Sequence, residues 1–169
     1  MAHLVKSTTP DESKNFWATT WECFADAQHL FGREFVIDVA AEPLTAKCKN
    51  FFTQADDALS LDWPDRWFCN PPFDLKIPFI HHAKGQQEIG RSGMMLLPYE
   101  RQTDWWRKGV SKGCIIYEPC GRYNFLERDG VTKKSGVNFG SALVCFPAFH
   151  LHESITVPFT RGIGAKKAA

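Results

Sequence analysis

Arg66-Trp67-Phe68-Cys69-Asn70-Pro71-Pro72-Phe73 decides how this chain is read. An apolar run with strand character feeds directly into Asn-Pro-Pro-Phe. Each proline lacks an N–H, fixes its own φ and pushes the residue before it toward β or polyproline geometry. Asn70 and Pro71 are therefore expected to be extended. The loop then offers the Asn70 side-chain oxygen and backbone carbonyls as acceptors, with few competing backbone donors. Phe73 supplies a flat face beside them.

Two close acceptors and an aromatic plate suit a planar group that carries an NH2. An exocyclic amine of a base is a poor nucleophile, because its lone pair is delocalised into the ring. Acceptance of both N–H hydrogens, by Asn70 Oδ1 and the Pro71 carbonyl, favours a pyramidal nitrogen whose lone pair is free to attack. Phe73 would stack on the base, as in sites that take a nucleotide out of a duplex. The natural electrophile is the methyl of S-adenosylmethionine, held in line and close to the nitrogen. Taken alone, the tetrapeptide is equally compatible with a strand that merely ends in a Pro-rich turn.

Working outward, Trp63 to Cys69 reads as the strand that delivers Asn70. Before it, Glu34 to Val39 reads as a short buried strand closed by Asp38 and followed by Ala40-Ala41. An acidic residue at a strand's carboxyl end, with small residues after it, suits a nucleoside-binding crevice, since ligands of open α/β sheets sit beyond the strand C-termini. Thr19 or Thr20 can cap a helix running to about Phe31, with Gly32 as its stop. Ala46 to Phe52 reads as a short helix and strand. After the Pro-Pro loop, Ile77 to Lys84 looks helical and Gly85 breaks the chain. Gly93 to Pro98 is an apolar run expected as a central strand. Thr103 to Gly109 is a capped helix, and Cys114 to Tyr117 and Ser141 to Phe146 are strands. His150 to Phe159 reads as an edge strand, with His150 and His152 on one of its faces. Strands alternating with helices imply a single three-layer α/β domain over residues 16–160. Residues 1–15 are expected to be loosely packed, and residues 161–169 to form a flexible basic tail.

Composition narrows the function. At 169 residues the chain fits one domain with a real core. Its formal net charge of +1 excludes a global basic field, so phosphate contacts must come from a local patch. Arg122, Arg128, Lys133 and Lys134, in the polar stretch Gly121 to Gly140, are that candidate patch for double-stranded DNA. None of the six cysteines forms a C-x-x-C pair, which points to reduced thiols in a cytoplasmic protein rather than a zinc site or a disulfide framework. The histidines lack matching Cys, Asp or Glu clusters, so no metal is expected. No long apolar run is present, and no membrane span is expected.

With these pieces in order, the chain resembles the phage-type Dam family of DNA N6-adenine methyltransferases. Trp17-Ala18-Thr19 is similar to that family's N-terminal Trp-x-Thr-Pro element, with Thr20 in place of the proline. Asp38-Val39-Ala40-Ala41 followed by Ala46-Lys47-Cys48 resembles its Asp-x-Ala-Ala…Ala-Lys-Cys block. Asp57-x-Leu59, Trp63, and Asn70 to Phe73 follow in the same order. Leu96-Leu97-Pro98, Trp105-Trp106, Gly121-Arg122 with Phe125, Ser135-Gly136 and Gly140-Ser141 complete the series. The resemblance spans roughly residues 17–147. It implies a Rossmann-like S-adenosylmethionine-dependent fold and methyl transfer to adenine N6 in DNA. By the same resemblance, Trp17 and Thr19 line the methionine end of the cofactor, Asp38 and Ala40 lie beside it, and Asp57 reaches its adenine. Asn70, Pro71, Pro72 and Phe73 form the catalytic loop, with Asn70 also beside the cofactor.

The loop chemistry alone leaves two other acceptors open, guanine N2 in RNA and glutamine side chains in proteins. A catalytically silent nucleic-acid-binding module is a further alternative, because the Phe-x-Gly-x-Gly cofactor loop of other adenine methyltransferases is absent. The intact Asn70 argues against that alternative.

Overall fold

The structure, a computed structural model, describes residues 11–165. In chain order the elements are α1 (Asp11–Lys14), β1 (Ala18–Thr19), α2 (Trp21–Phe31), β2 (Ile37–Asp38), β3 (Asn50–Phe51), β4 (Trp67–Cys69), α3 (Lys76–Glu88), β5 (Gly93–Pro98), α4 (Asp104–Gly109), β6 (Ile115–Cys120), β7 (Phe125–Leu126), β8 (Ser141–Phe146) and β9 (Ile155–Thr160). Seven strands form one sheet in the order β3-β2-β4-β5-β8-β6-β9. All are parallel except β8, which runs antiparallel to both β5 and β6.

The apolar runs become strands because both faces of the sheet are covered. Trp67, Cys69, Met95, Leu97, Val144 and Phe146 face Phe79, Ile80 and Trp106 of α3 and α4. Phe68, Met94, Leu96, Leu143 and Cys145 face Cys23, Phe24 and Ala27 of α2. The result is the expected Rossmann-like, three-layer α/β arrangement. Its central strands read as continuous hydrophobic runs because a parallel sheet hides both sides. Gly93 pairs with Trp67 across β4 and β5. A Cβ at Gly93 would lie 2.0 Å from the indole, so only glycine lets the two meet.

The helix signals behave as chemistry requires. Thr20 caps α2 by accepting from the Cys23 N–H at 3.2 Å, and Gly32 ends the helix at φ 79°. Thr103 caps α4 through the Trp106 N–H at 3.4 Å.

Several expectations change. Residues 46–49 form an irregular bend rather than a helix, with the Lys47 amide drawn onto the Asp38 carboxyl. Gly85 does not break α3, which runs through it to Glu88. Burial of Phe79, Ile80, Ala83 and Gln86 outweighs the weak helix propensity of one glycine. His150 and His152 lie in the loop before β9, with rings 4.6 Å apart, and not on a strand.

Both expected loose ends differ where they are described; residues 1–10 and 166–169 lie outside the described residues. Residues 11–14 form α1, and the next residue, Asn15, exchanges hydrogen bonds of 3.0 Å with Asp74. At the other end, Arg161 pairs with Glu22 at 3.1 Å. The N–H groups of Gly162 and Gly164 each donate at 2.8 Å to the fully buried Asp26 carboxylate. Tyr123 donates to the same carboxylate at 2.6 Å. A buried carboxyl is tolerated only when its oxygens are hydrogen-bonded, and these three donors satisfy Asp26. The segment after β9 is thereby clamped to α2.

Candidate active site

Strand order reverses around β2, with β3 on one side and β4 on the other, which opens a crevice beyond the strand carboxyl ends. Two cavities meet there. The larger has a volume of about 240 Å³ and is lined by Trp17, Thr19, Asp38 to Glu42, Thr53, Asp57, Asn70, Pro72 and Arg128, among others. The smaller, about 30 Å³, is walled by Pro71, Phe73, Lys76, Leu96, Leu97, Phe125 and Phe139. Among the described residues only Trp17 and Asn70 line both.

Asn70 follows β4 directly, so its position is set by the sheet. Its Nδ2 donates to the Trp17 carbonyl at 2.9 Å, which turns Oδ1 away from that carbonyl. Trp17 is itself held by an element the sequence did not disclose. β1 pairs with β7, with Ala18 opposite Leu126 and Thr19 opposite Phe125. This pairing packs Trp17 against Phe125, with centroids 5.6 Å apart, and stacks it parallel to Phe139 at 6.0 Å. The buried Trp17 Nε1 has no hydrogen-bond partner among the described residues.

Phe73 opens a 3-10 turn running to Leu75. Its ring lies 6.4 Å from Phe139. Lys76 Nζ sits 4.1 Å and Lys14 Nζ 4.9 Å from its centroid. These contacts leave the smaller cavity apolar inside and cationic at its edge.

Asp38 ends β2 and is buried. Its Oδ2 accepts the Lys47 N–H at 3.1 Å and its Oδ1 the Ala40 N–H at 3.4 Å. Burial outweighs these bonds and pushes the carboxyl up to about 7. Burial likewise pulls Lys47 below the ordinary lysine value, with Asp38 opposing the shift. Two blocks separated in sequence, Asp38 to Ala41 and Ala46 to Cys48, are therefore one unit around a single carboxylate. Asp57 is exposed at the cavity edge with φ 51°. A left-handed non-glycine residue is costly and tends to occur where a side chain must be aimed.

The structure thus brings Trp17, Thr19, Asp38, Ala40, Asp57 and Asn70 to the larger cavity, and Pro71 and Phe73 to the smaller. Pro72 turns to the larger one. The four basic residues read as one patch do not form one. Arg128 lines the larger cavity and pairs with Glu42 at 2.8 Å. Lys134 pairs with Glu127 at 3.1 Å and lies 5.4 Å from the Trp17 ring. Arg122 is exposed near the C-terminal clamp, its carbonyl accepting from Arg161. Lys133 is exposed. The stretch folds back through β7 and a Leu126–Lys133 bridge, which scatters cations that are adjacent in sequence.

Sequence reasoning missed Phe16, Glu42 and Phe139. Phe139 carried a usable signal, as an aromatic residue between Asn138 and Gly140 in a polar stretch. Among the described residues no group of three or more His, Cys, Asp or Glu could hold a metal ion. No helix there is long and apolar enough to cross a membrane.

The profile of the DNA N-6-adenine-methyltransferase (Dam) family matches residues 6–161 of this chain. The chain is 30% identical over 146 residues to the DNA N-6-adenine-methyltransferase of Haemophilus phage HP1, covering 85% of this chain and 84% of that protein. It is 36% identical over 64 residues to the putative methyltransferase YfdM of Escherichia coli K12, covering 34% of this chain and 69% of that protein.

Proposed function

The chain belongs to the DNA N-6-adenine-methyltransferase (Dam) family, and from that premise we propose how its two cavities divide the reaction. The activity is methyl transfer to the exocyclic N6 amine of adenine in DNA. The larger cavity is the site of S-adenosylmethionine and the smaller is the slot for an adenine turned out of double-stranded DNA. The observation that carries this division is the shared wall, because Trp17 and Asn70 line both cavities and the transferred group must pass where they meet.

The larger cavity fits the cofactor on its own chemistry. Carboxylates at Asp38, Glu42 and Asp57 suit ribose hydroxyls and a cationic sulfonium centre, while Ala40 and Ala41 let a ligand approach the backbone. The buried Trp17 Nε1 offers a donor that lacks a protein partner among the described residues. When bound, S-adenosylmethionine supplies an electrophilic methyl.

The protein's part is to prepare the nitrogen. The bond from Asn70 Nδ2 to the Trp17 carbonyl orients Oδ1 to accept one N6 hydrogen. The carbonyl of Pro71, a residue that lines the smaller cavity, accepts the other. Both bonds strengthen as the nitrogen becomes pyramidal and gains positive charge, so they favour the transition state over the bound base. An amide oxygen and a peptide carbonyl are too weakly basic to keep a proton, which leaves to water after transfer. Phe73 stacks on the base. Lys14 and Lys76, beside that ring, attract the phosphates flanking the displaced nucleotide. We place the protein in the cytoplasm, where DNA is available and thiols such as buried Cys23, Cys69 and Cys114 stay reduced.

Incubation with labelled S-adenosylmethionine and adenine-containing duplexes tests this reading. Label should reach N6-methyladenine in the DNA and stay absent from RNA and protein acceptors. Label in RNA or protein alone would overturn the choice of acceptor.

A further inference from the structure

The larger cavity has an uneven charge balance. Asp38, Glu42 and Asp57 give it three carboxyl groups, of which burial leaves Asp38, pushed up to about 7, only partly charged at neutral pH, and Arg128 is the one basic side chain among its described lining residues. Such a set welcomes a ligand with a positive centre but repels a ligand carboxylate everywhere except against Arg128.

Arg128 is held as a receptor for one. Its Nε and Nη2 donate to Glu42 Oε2 and Oε1 at 2.9 and 2.8 Å. Its guanidinium carbon lies 4.3 Å from the centroid of the Phe16 ring. The bidentate bond fixes one edge of the fork and the ring contact supports its plane, while engaging two of the five N–H donors. The turn that carries Arg128 is seated on the loop that carries Glu42. Gly130 has φ 72°, and a Cβ there would lie 2.3 Å from the Leu44 carbonyl oxygen. Both partners of the pair are therefore positioned by backbone and not by long side chains alone.

We propose that Arg128 binds the α-carboxylate in the methionyl tail of S-adenosylmethionine, using guanidinium donors that Glu42 does not engage. This rests on the larger cavity being the S-adenosylmethionine site. Glu42 is the positioning residue, since it orients the fork without touching the carboxylate. A planar fork matches a carboxylate bidentately and forms strong, charge-assisted bonds. Arg128 thereby leaves the group of DNA-facing cations in which its sequence position placed it.

Calorimetric titration of the full chain with S-adenosylmethionine, S-adenosylhomocysteine and 5′-methylthioadenosine, which lacks the amino-acid tail, tests the assignment. Arg128→Ala should weaken the first two by about tenfold to a hundredfold and leave the third within about twofold of wild type. Arg128→Lys keeps the charge without the fork and should recover part of the loss. If the alanine variant does not fold by circular dichroism, Arg128→Gln, of similar length and uncharged, carries the same comparison. Equal losses for all three ligands would reduce Arg128 to a loop anchor and overturn the proposal, as would no loss at all. So would unchanged cofactor affinity with a shallower salt dependence of duplex binding. A wild-type protein that bound none of the three ligands would instead sink the reading of the cavity, and this proposal with it.

Discussion

The two cavities share a wall and differ in almost every other property. The larger is roomy, lined by carboxylates, and built mostly on loops that leave the ends of β2, β3 and β4. The smaller has space for only a water or two at about 30 Å³, and its walls are rings and aliphatic side chains. Its cations, Lys14 and Lys76, lie against the Phe73 ring. One is ready for a small polar ligand as it stands. The other must open before a purine can enter. On the proposed division, the contrast follows from what each would bind. A free cofactor arrives desolvated piece by piece into polar contacts, while a base leaves one stack only if another is offered.

The largest expected effect strikes the shared wall. Asn70→Ala should lower single-turnover methyl transfer by on the order of a hundredfold or more, with S-adenosylmethionine affinity nearly intact in calorimetry. Near-normal turnover would break the link between the cavities.

The next is confined to the polar side. Asp38 titrates near pH 7 when folded, from an ordinary value of 3.8. Between these values the folded state holds more protons than the unfolded state, so stability falls as pH rises from about 4 to 7 and then levels. Asp38→Asn removes that term. Urea titrations should show the variant gaining on wild type across that window, by at most about 1.4 kcal/mol per pH unit. A stability difference that does not change with pH would mean that Asp38 is ionised throughout.

On the aromatic side, Phe73→Ala should weaken the productive DNA complex by about 1–3 kcal/mol, while Phe73→Trp is tolerated. Fluorescence of 2-aminopurine at the target position reads the stacking directly. Equal damage from both variants would make Phe73 a packing residue.

The smallest effect is electrostatic. Lys133 is exposed and, among the described residues, has no ion pair of the kind that occupies Lys134. Lys133→Ala should reduce the slope of log K against log salt by about 0.9 if it meets one phosphate. Lys134→Ala should change it less. The reverse order would mean that DNA displaces the Lys134–Glu127 pair.

Local chemistry settled much of this molecule before any contact was known. The threonine caps at 20 and 103 and the Gly32 stop were legible because each acts within one helical turn. The apolar run at 93–98 was legible because a strand covered on both faces needs no polar alternation. The strand that delivers Asn70 was legible because Trp67–Cys69 is an unbroken apolar run.

Tertiary structure decided what depends on distant partners. The pairing of β1 with β7 joins residues more than a hundred positions apart through four residues with no local strand signal, yet it places Trp17 beside Asn70. The bend at 46–49 follows from one buried carboxyl, and the order after Arg161 from another. A buried charge recruits whatever backbone donors the fold brings near, and no pattern of neighbouring residues announces which they will be. The basic stretch shows the same limit. Sequence placed four cations together, but a hairpin and two ion pairs sent Arg128 to the larger cavity and Lys134 to the Trp17 ring. Proximity along a chain sets charge density only while the chain stays extended; once it folds back, partners on other loops decide where each charge points.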